Sequence, residues 1–323
     1  MNKNSSFLER TEAVTAHNSP HQPIKNAFDT GILSIAVIAL GFSPIFTKLA
    51  ETELTPISIV FNRLWIATAI VAIWRSLYVS PQIEPEPSRI HSNSLELTLL
   101  AAASLCATAS ALLWAISFNH TSVASSTVLR SLTPLFISLG AWLILKQKFD
   151  RQFIMGMTLS IVGATTIGWD DLQLGTDLLI GDGIALLSAA LHGVNLLIIG
   201  YLRDRGCTTD RVLLWRCGCG ALTILPIIYL TGDRLLPTSI SAWLNVIALA
   251  VVCQTFGQGL LVYSLKRFSS SFVGVFALLK PLITALLAWA IFSEEIGLIN
   301  GVALVSILTG IYLAKSSNSS LTG

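Results

Sequence analysis

Ten apolar stretches, each long enough to cross a bilayer, are the feature that most constrains the fold of this chain. A membrane-spanning helix needs roughly 17 to 25 apolar residues, and such stretches lie near residues 31–50, 56–76, 95–117, 122–145, 152–169, 181–201, 210–231, 242–265, 269–292 and 296–314. Backbone groups cannot stay unpaired in lipid, and continuous apolar runs favour helices over barrel strands. With 53% hydrophobic and 12% charged residues, the sequence predicts an all-α integral membrane protein with ten transmembrane helices.

One segment of the chain occurs twice. Residues 132–142, LTPLFISLGAW, return as residues 279–289, LKPLITALLAW, with six of eleven positions identical. The copy extends further, because Arg63 in the second span matches Arg216 in the seventh, and Gly31 matches Gly183. An odd number of spans per copy makes the second copy enter from the opposite side, so we expect two inverted five-helix repeats.

The repeat divides the chain into five predicted parts. We expect a disordered cytoplasmic tail at 1–28, a first repeat at 29–169, an extracytoplasmic link at 170–182, a second repeat at 183–315 and a tail at 316–323. Of the 20 Lys and Arg residues, fourteen fall on the side of the N-terminus, Arg234 alone falls on the other side, and five lie within spans. The positive-inside rule then puts both termini in the cytoplasm, in what we expect to be the plasma membrane.

Several of these features together resemble a known family. They are the five-plus-five arrangement, the arginines in spans two and seven, the proline motif in spans four and nine, and the charged residues after those spans. In this the chain is similar to the EamA family of the drug/metabolite transporter superfamily over about residues 31–315. Span four ends in Leu145-Lys146-Gln147 instead of the small-Gly-Glu-Arg pattern common in the family. The resemblance implies transport of a small metabolite such as an amino acid, an organic phosphate or a sugar derivative.

Four cations lie inside predicted spans, where a charge usually faces a cavity or a partner. They are Arg63, Arg130, Arg216 and Lys280. For Arg63 and Arg216 two interpretations stay open, namely structural anchors that bond helix-end carbonyls and ligand contacts. Four cations without a matching carboxylate in mid-span favour an anionic solute.

Prolines follow two of these cations closely. Pro134 and Pro281 lack the N–H groups that would bond the carbonyls of Arg130 and Ala277. A freed carbonyl beside a cation is a plausible ligand site, and the two prolines are candidate structural hinges. A simple packing kink is the alternative.

Other polar and aromatic residues fall at helical spacing on several spans. We include them as candidate substrate-binding residues, with interhelical hydrogen bonding or packing as the alternative; they are Trp114, His192, Asn195, Gln254, Gln258, Tyr263 and Thr284. Trp114 and Tyr263, which match each other in the repeat, are candidate stacking partners for a solute.

Several functions lack support in the sequence. A Walker loop, a metal-binding HExxH helix and mid-span carboxylates do not occur in it, so we expect no metal, no cofactor and no ATP-driven transport. His192 is the one good candidate for a proton carrier, which slightly disfavours proton coupling. A channel or receptor-like scaffold is the alternative to a carrier, and an intramembrane enzyme is the least favoured class. The net charge of +2 gives no sign of nucleic acid binding, and a homodimer is left open.

Overall fold

The structure of the protein is a computed structural model that describes residues 22–78, 93–117, 120, 126, 129–166, 179–292, 298–317 and 319. Its regular elements are helices, which we label in chain order: α1 Gln22–Gly41, α2 Ser43–Ala50, α3 Pro56–Tyr78, α4 Asn93–Ser117, α5 Thr133–Leu145, α6 Arg151–Thr166, α7 Leu179–Asp204, α8 Thr209–Thr231, α9 Ile240–Ala248, a π-helical segment Leu249–Gly257, α10 Gln258–Ser264, α11 Ser270–Phe276, α12 Leu279–Phe292 and α13 Leu298–Lys315. The predicted all-α class is confirmed.

Six helical segments are long and apolar enough to cross a membrane by length and composition: Ala27–Ala50, Pro56–Tyr78, Ser94–Trp114, Leu179–Asp204, Thr209–Thr231 and Ile240–Ser264. Shorter apolar helices follow at Thr133–Leu145, Ser270–Thr284 and Gly301–Lys315. Large apolar side chains such as Leu230 (83% exposed) and Ile144 (75% exposed) lie on the outside of the bundle. This pattern is that of a multi-pass protein whose outer surface faces lipid.

Several boundaries differ from those predicted. Helix α1 begins at Gln22, within the segment 1–28 that the sequence assigns to a tail, and the first span breaks at Phe42, before Pro44 in the first turn of α2. The eighth span widens into the π-helical segment, where the hydroxyl of Thr255 donates to the carbonyl of Ala250. Apolar periodicity carries no signal for these local departures, since all these residues remain compatible with a helix.

Helix ends follow from local sequence. Ser239 and Ser269 cap α9 and α11 by accepting hydrogen bonds from the backbone N–H groups of Ala242 and Phe272. Helix α8 ends at Thr231 and is followed by Gly232 with φ +70°, a conformation that glycine adopts without steric cost.

Small residues allow the closest helix contacts. In the pair α6 and α13, a Cβ atom on Gly156 would lie 2.5 Å from the carbonyl oxygen of Gly310, and one on Gly163 would lie 2.9 Å from that of Ala303. Helix α4 packs along α7, and α3 packs along α8. Because lipid is as apolar as the helices, such close van der Waals contact is a main source of helix association in a membrane.

Candidate functional site

Helices α3, α4, α8 and the π-helical segment surround a small cavity of about 20 Å³. Polar groups from each of these elements line it: Arg63, Thr108, Arg216 and Gln254. A volume of this size holds about one water molecule. Two arginines of different repeats therefore converge on a space that fits a water or a single acidic oxygen, and not a whole metabolite.

The two arginines differ in how they are held. The guanidinium of Arg216 donates to Oε1 of Gln258 at 2.8 Å, and Arg216 is only 9% exposed. The Nε atom of Arg63 is buried and has no hydrogen-bond partner among the described residues. Bonds from these arginines to helix-end carbonyls, one of the two interpretations that the sequence left open, are not among the contacts of the described residues. Arg216 is anchored by a side chain instead.

Both predicted glutamines contact helix α8. Gln258 accepts the bond from Arg216, and Nε2 of Gln254 lies 3.3 Å from Sγ of Cys217. Gln254 is 3% exposed and also lines the cavity. The interhelical bonds and the cavity lining that the sequence offered as alternatives therefore coexist.

Arg130 lies on the contact between α4 and α7. The hydroxyls of Ser110 and Ser188 each donate to the other residue's carbonyl at 2.8 Å, and the guanidinium of Arg130 bonds Oγ of Ser188 at 2.5 Å. The guanidinium also lies 4.8 Å from the ring centroid of Trp114, a cation–π distance. One face of Trp114 is thus covered by Arg130 rather than left for a solute.

Lys280 completes the group of cations. It interacts electrostatically with Arg130 and Arg216, and His192 lies within electrostatic reach of all three. Arg130 in turn interacts with Arg63 and Arg216. The structure therefore brings the four cations predicted from separate spans into one region, and His192 with them.

The carbonyls freed by the prolines are bonded, which corrects the expected unpaired groups. The hydroxyl of Thr133 donates to the carbonyl of Arg130 at 2.7 Å, and the backbone N–H of Lys280 donates to that of Ala277 at 3.0 Å. Pro134 and Pro281 each lie in the first turn of a helix, just after an interruption of the chain's helical run. Their role as hinges stays a prediction.

The remaining three predicted substrate-binding residues make contacts of other kinds. Tyr263 is 41% exposed and interacts electrostatically with Arg203. Its surroundings therefore differ from those of Trp114, its counterpart in the repeat, which lies against Arg130. The hydroxyl of Thr284 donates to the carbonyl of Gly41 at 2.9 Å and ties α12 to α1. Asn195 is fully buried, and neither amide atom has a hydrogen-bond partner among the described residues.

The sequence did not predict the hydrogen-bonded contact between Ser110 and Ser188. Ser188 shares a polar face of α7 with His192, a spacing visible in the sequence. Ser110 lies in a run of small residues, 107–111, that gives no periodic signal. Its contact with Ser188 depends on which helices become neighbours.

One end of the bundle is tied together by Glu53. Its carboxylate accepts hydrogen bonds from the backbone and side chains of Thr238 and Ser239, and it lies 3.5 Å from Arg234. The bonds from Ser239 and Thr238 lower the pKa of Glu53 to about 2. The turn after α2 is therefore joined to the loop before α9 by a group that stays charged at neutral pH.

A second polar cluster joins α3 and α4 to the first turn of α8. Glu96 is 1% exposed and pairs with Arg211 at 3.0 Å, while Asp210 pairs with Arg75 at 3.0 Å. Burial raises the pKa of the Cys207 thiol to about 12, with a further contribution from Glu96. This thiol is therefore protonated at neutral pH and is a packing group here.

These features define a class, namely a multi-pass helical membrane protein with a polar, cation-rich interior. The model of the EamA-like transporter family matches residues 30–169 and 179–315. The chain belongs to the EamA-like transporter family and is a membrane transporter, which confirms the resemblance found in its sequence.

Individual relatives agree with this assignment. An uncharacterized transporter from Archaeoglobus fulgidus is 22% identical over 302 residues, which cover 88% of this chain and 96% of the relative. A protein of known crystal structure superposes with a TM-score of 0.76 over 90% of this chain and 98% of that chain, at 15% identity. The second likeness supports the fold.

Proposed function

We propose that this transporter is an alternating-access carrier of a small metabolite with anionic oxygens, such as an amino acid, an organic phosphate or a sugar derivative. The observation that carries the proposal is the group of four interior cations, Arg63, Arg130, Arg216 and Lys280. Among the described residues, the electrostatic neighbours of Arg130 and Lys280 are other cations and not carboxylates. Charges in a membrane interior are costly unless they are paired, and an anionic solute supplies that pairing.

Contacts that recur under the internal repeat support two inverted repeats, 29–169 and 183–315, joined by 170–182. Pro134 and Pro281 occupy matching positions of the two repeats and lie 147 residues apart. With this offset, Gly163 matches Gly310 and Gly156 matches Ala303. Gly163 contacts Ala303, and the matching residues Gly310 and Gly156 also contact each other. Two copies related by a twofold axis produce such exchanged contacts. We therefore retain ten spans in two inverted repeats, an arrangement that gives a carrier two states of similar energy.

A second pair of contacts is also exchanged between matching positions of the two repeats. Gly41 packs directly on Ile283, and Gly193 packs on Phe136. Phe136 and Ile283 are 147 positions apart, and Gly41 and Gly193 are 152 positions apart, the shift that also relates Gly31 to Gly183. The first span of each repeat thus contacts the proline-containing span of the other.

The two ends of the bundle supply candidate gates for alternating access. Glu53 joins Thr238 and Ser239 at one end, and Glu96 joins Arg211 at the other. With the positive-inside orientation, both termini are cytoplasmic, the Glu53 gate is external and the Glu96 gate is internal. The proposed location is the plasma membrane.

Comparing the metabolites of cells that contain or lack the protein tests this function. Cells with the wild-type protein should change the distribution of at least one anionic metabolite across the membrane. A Lys280→Gln variant expressed at the same level should not, because it removes a charge that pairs with the solute. A change confined to neutral or cationic metabolites contradicts the proposal, and so does a variant that behaves like the wild type.

A further inference from the structure

Two serines that follow α13 bind to two separate parts of the bundle at one of its ends. The hydroxyl of Ser317 donates to Oδ1 of Asp150 at 2.8 Å, and the hydroxyl of Ser269 donates to the carbonyl of Ser319 at 2.9 Å. The backbone N–H of Ser319 donates to Oγ of Ser317 at 2.9 Å and joins the two contacts. We call Ser317 and Ser319 the strap.

Both residues that the strap contacts are helix caps. Oδ1 of Asp150 accepts a hydrogen bond from the backbone N–H of Phe153 at 2.8 Å in the first turn of α6. Oγ of Ser269 accepts one from the backbone N–H of Phe272 in α11. Helix α6 belongs to the first half of the chain and α11 to the second. The strap therefore joins the start of one helix in each half.

Helix α11 is the part of the ninth span that lies at this end of the bundle. Every residue from Ser271 to Phe276 is buried. A Cβ atom on Gly274 would lie 2.6 Å from Ile137 of α5, and the hydroxyl of Ser270 donates to the carbonyl of Leu196 of α7 at 3.2 Å. Helix α11 is therefore packed closely against both halves of the bundle.

The contact of Asp150 with the strap cannot recur in the other repeat. With the offset of 147 that relates the two prolines, Asp150 matches Gly297, which has no side chain to accept a hydrogen bond. Inverted repeats give a carrier two states of similar energy. A contact that forms at one end alone makes these energies unequal and favours the state in which that end is closed.

We propose that the strap holds α11 in place and keeps the cytoplasmic end of the carrier closed until the strap detaches. The inference rests on the proposed function and on the positive-inside orientation, which places this end in the cytoplasm. Because α11 is buried against both halves, a path to this end opens when α11 moves. Water at the membrane surface can replace the hydrogen bonds of the strap, so each bond is weak in net terms and the strap can detach during transport.

Labelling of a buried thiol measures the movement of α11. Ser271 is fully buried, and its hydroxyl has no hydrogen-bond partner among the described residues, so Ser271→Cys removes no such contact. The purified full-length Ser271→Cys protein is treated with a maleimide, and labelling at position 271 is followed by mass spectrometry. We expect Ser317→Ala to speed this labelling about tenfold, because one hydrogen bond to a charged group is lost.

Ser316→Ala is the matched control, because it removes a neighbouring serine outside the strap. Ser316 is exposed, and its hydroxyl donates to the carbonyl of Tyr312 at 2.9 Å at the end of α13. In the Ser271→Cys protein, this change should leave the labelling rate at position 271 unchanged.

A second variant separates the strap from the cap of α6. Asp150→Ser keeps a favourable N-cap residue, but its shorter side chain should lose the bond to Ser317. It should therefore speed labelling as Ser317→Ala does, and the double variant should be no faster than the single variants, since both remove the same contact. Cys253 is buried beside Ala50 and Leu54 towards the other end of the bundle, and its labelling should be equally slow in every variant.

The outcomes separate this inference from the proposed function. Equal labelling rates in the Ser317→Ala and Ser316→Ala variants overturn the role of the strap and leave the anion carrier intact. Faster labelling of Cys253 as well as position 271 indicates general loosening and also overturns it, as does an additive increase in the double variant. The labelling needs no solute, so a transport assay that contradicts the proposed function does not alter its result.

Discussion

At the scale of single residues, Thr133 shows how this chain tolerates a proline deep in a helical bundle. Pro134 removes a backbone donor, and the hydroxyl of Thr133 supplies another at 2.7 Å from the carbonyl of Arg130. The sequence predicted the freed carbonyl, because proline's missing N–H is a property of the residue itself. It did not predict the compensation, since the direction of a threonine hydroxyl depends on the local backbone.

Thr133→Val should therefore destabilise the protein by about 1 kcal/mol, the usual net value of one hydrogen bond. The measurement is the thermal unfolding of the purified protein in detergent. Thr68→Val is the matched control, because the hydroxyl of Thr68 donates to the carbonyl of Leu64 inside the regular helix α3. In Thr68→Val the carbonyl of Leu64 still accepts the backbone hydrogen bond of the regular helix. Equal losses in the two variants would refute the special role of Thr133.

Glu53 makes a pH-dependent contribution whose sign follows from its lowered pKa. The pKa falls from 4.5 to about 2 in the folded protein through hydrogen bonds from Ser239 and Thr238. The stabilisation is therefore complete above about pH 5 and is lost as the pH falls from 4.5 towards 2. The melting-temperature difference between the wild type and Glu53→Gln should be constant from pH 8 to pH 6 and shrink below pH 4.5.

Glu51→Gln is the control for this titration, because Glu51 is an exposed carboxylate two residues away. The melting-temperature difference between Glu51→Gln and the wild type should be small over the whole pH range measured. A Glu53→Gln difference that grows on acidification would contradict the assigned pKa.

At the scale of helices, six of the ten spans predicted from hydropathy are helices long and apolar enough to cross a membrane, while the interruptions within spans were missed. The span near 242–265 occupies almost the residues expected, yet its middle is π-helical and holds Gln254 at the cavity. The sequence also did not predict which helices contact each other. It showed only glycines that would permit a close contact. Gly156, Gly163 and Gly310 meet the partner helix, whereas Gly301 faces open space.

The pair α6 and α13 tests this packing with two glycines of one helix. Gly310→Ala should destabilise the protein by about 1 to 3 kcal/mol, because its Cβ would overlap the backbone of Gly156 and Ser160. Gly301→Ala should be neutral or slightly stabilising, since alanine favours a helix. Unfolding of both variants in detergent gives the comparison. Equal stability of the two variants would contradict the close contact.

At the scale of the whole molecule, each half of the chain contributes two of the four interior cations, and a polar cluster lies at each end of the bundle. The sequence predicted the four cations and the two matched prolines, because charge and proline stand out in apolar runs. It could not predict that Trp114 holds Arg130 while Tyr263 lies apart. Matched positions occupy different surroundings once the two halves have diverged.

Loss of the Glu53 contacts, the proposed external gate, should have a local effect. Glu53→Gln should speed hydrogen–deuterium exchange of the Thr238 and Ser239 amides, which bond the Glu53 carboxylate. Exchange around Glu96 and Arg211, at the other gate, should be unchanged or slower. Faster exchange at both ends would indicate general loosening and contradict a separate gate.

Trans-stimulated uptake tests the central claim of an anion carrier most directly. Proteoliposomes containing the wild-type protein are loaded with the anionic metabolite identified in cells, and uptake of its labelled form is followed. We predict uptake that is faster with internal solute than without it, and that is lost in Lys280→Gln but kept in Lys266→Gln, a change of an exposed lysine outside the site. Uptake that is indifferent to internal solute, as in a channel, or unaffected by Lys280→Gln would contradict the account.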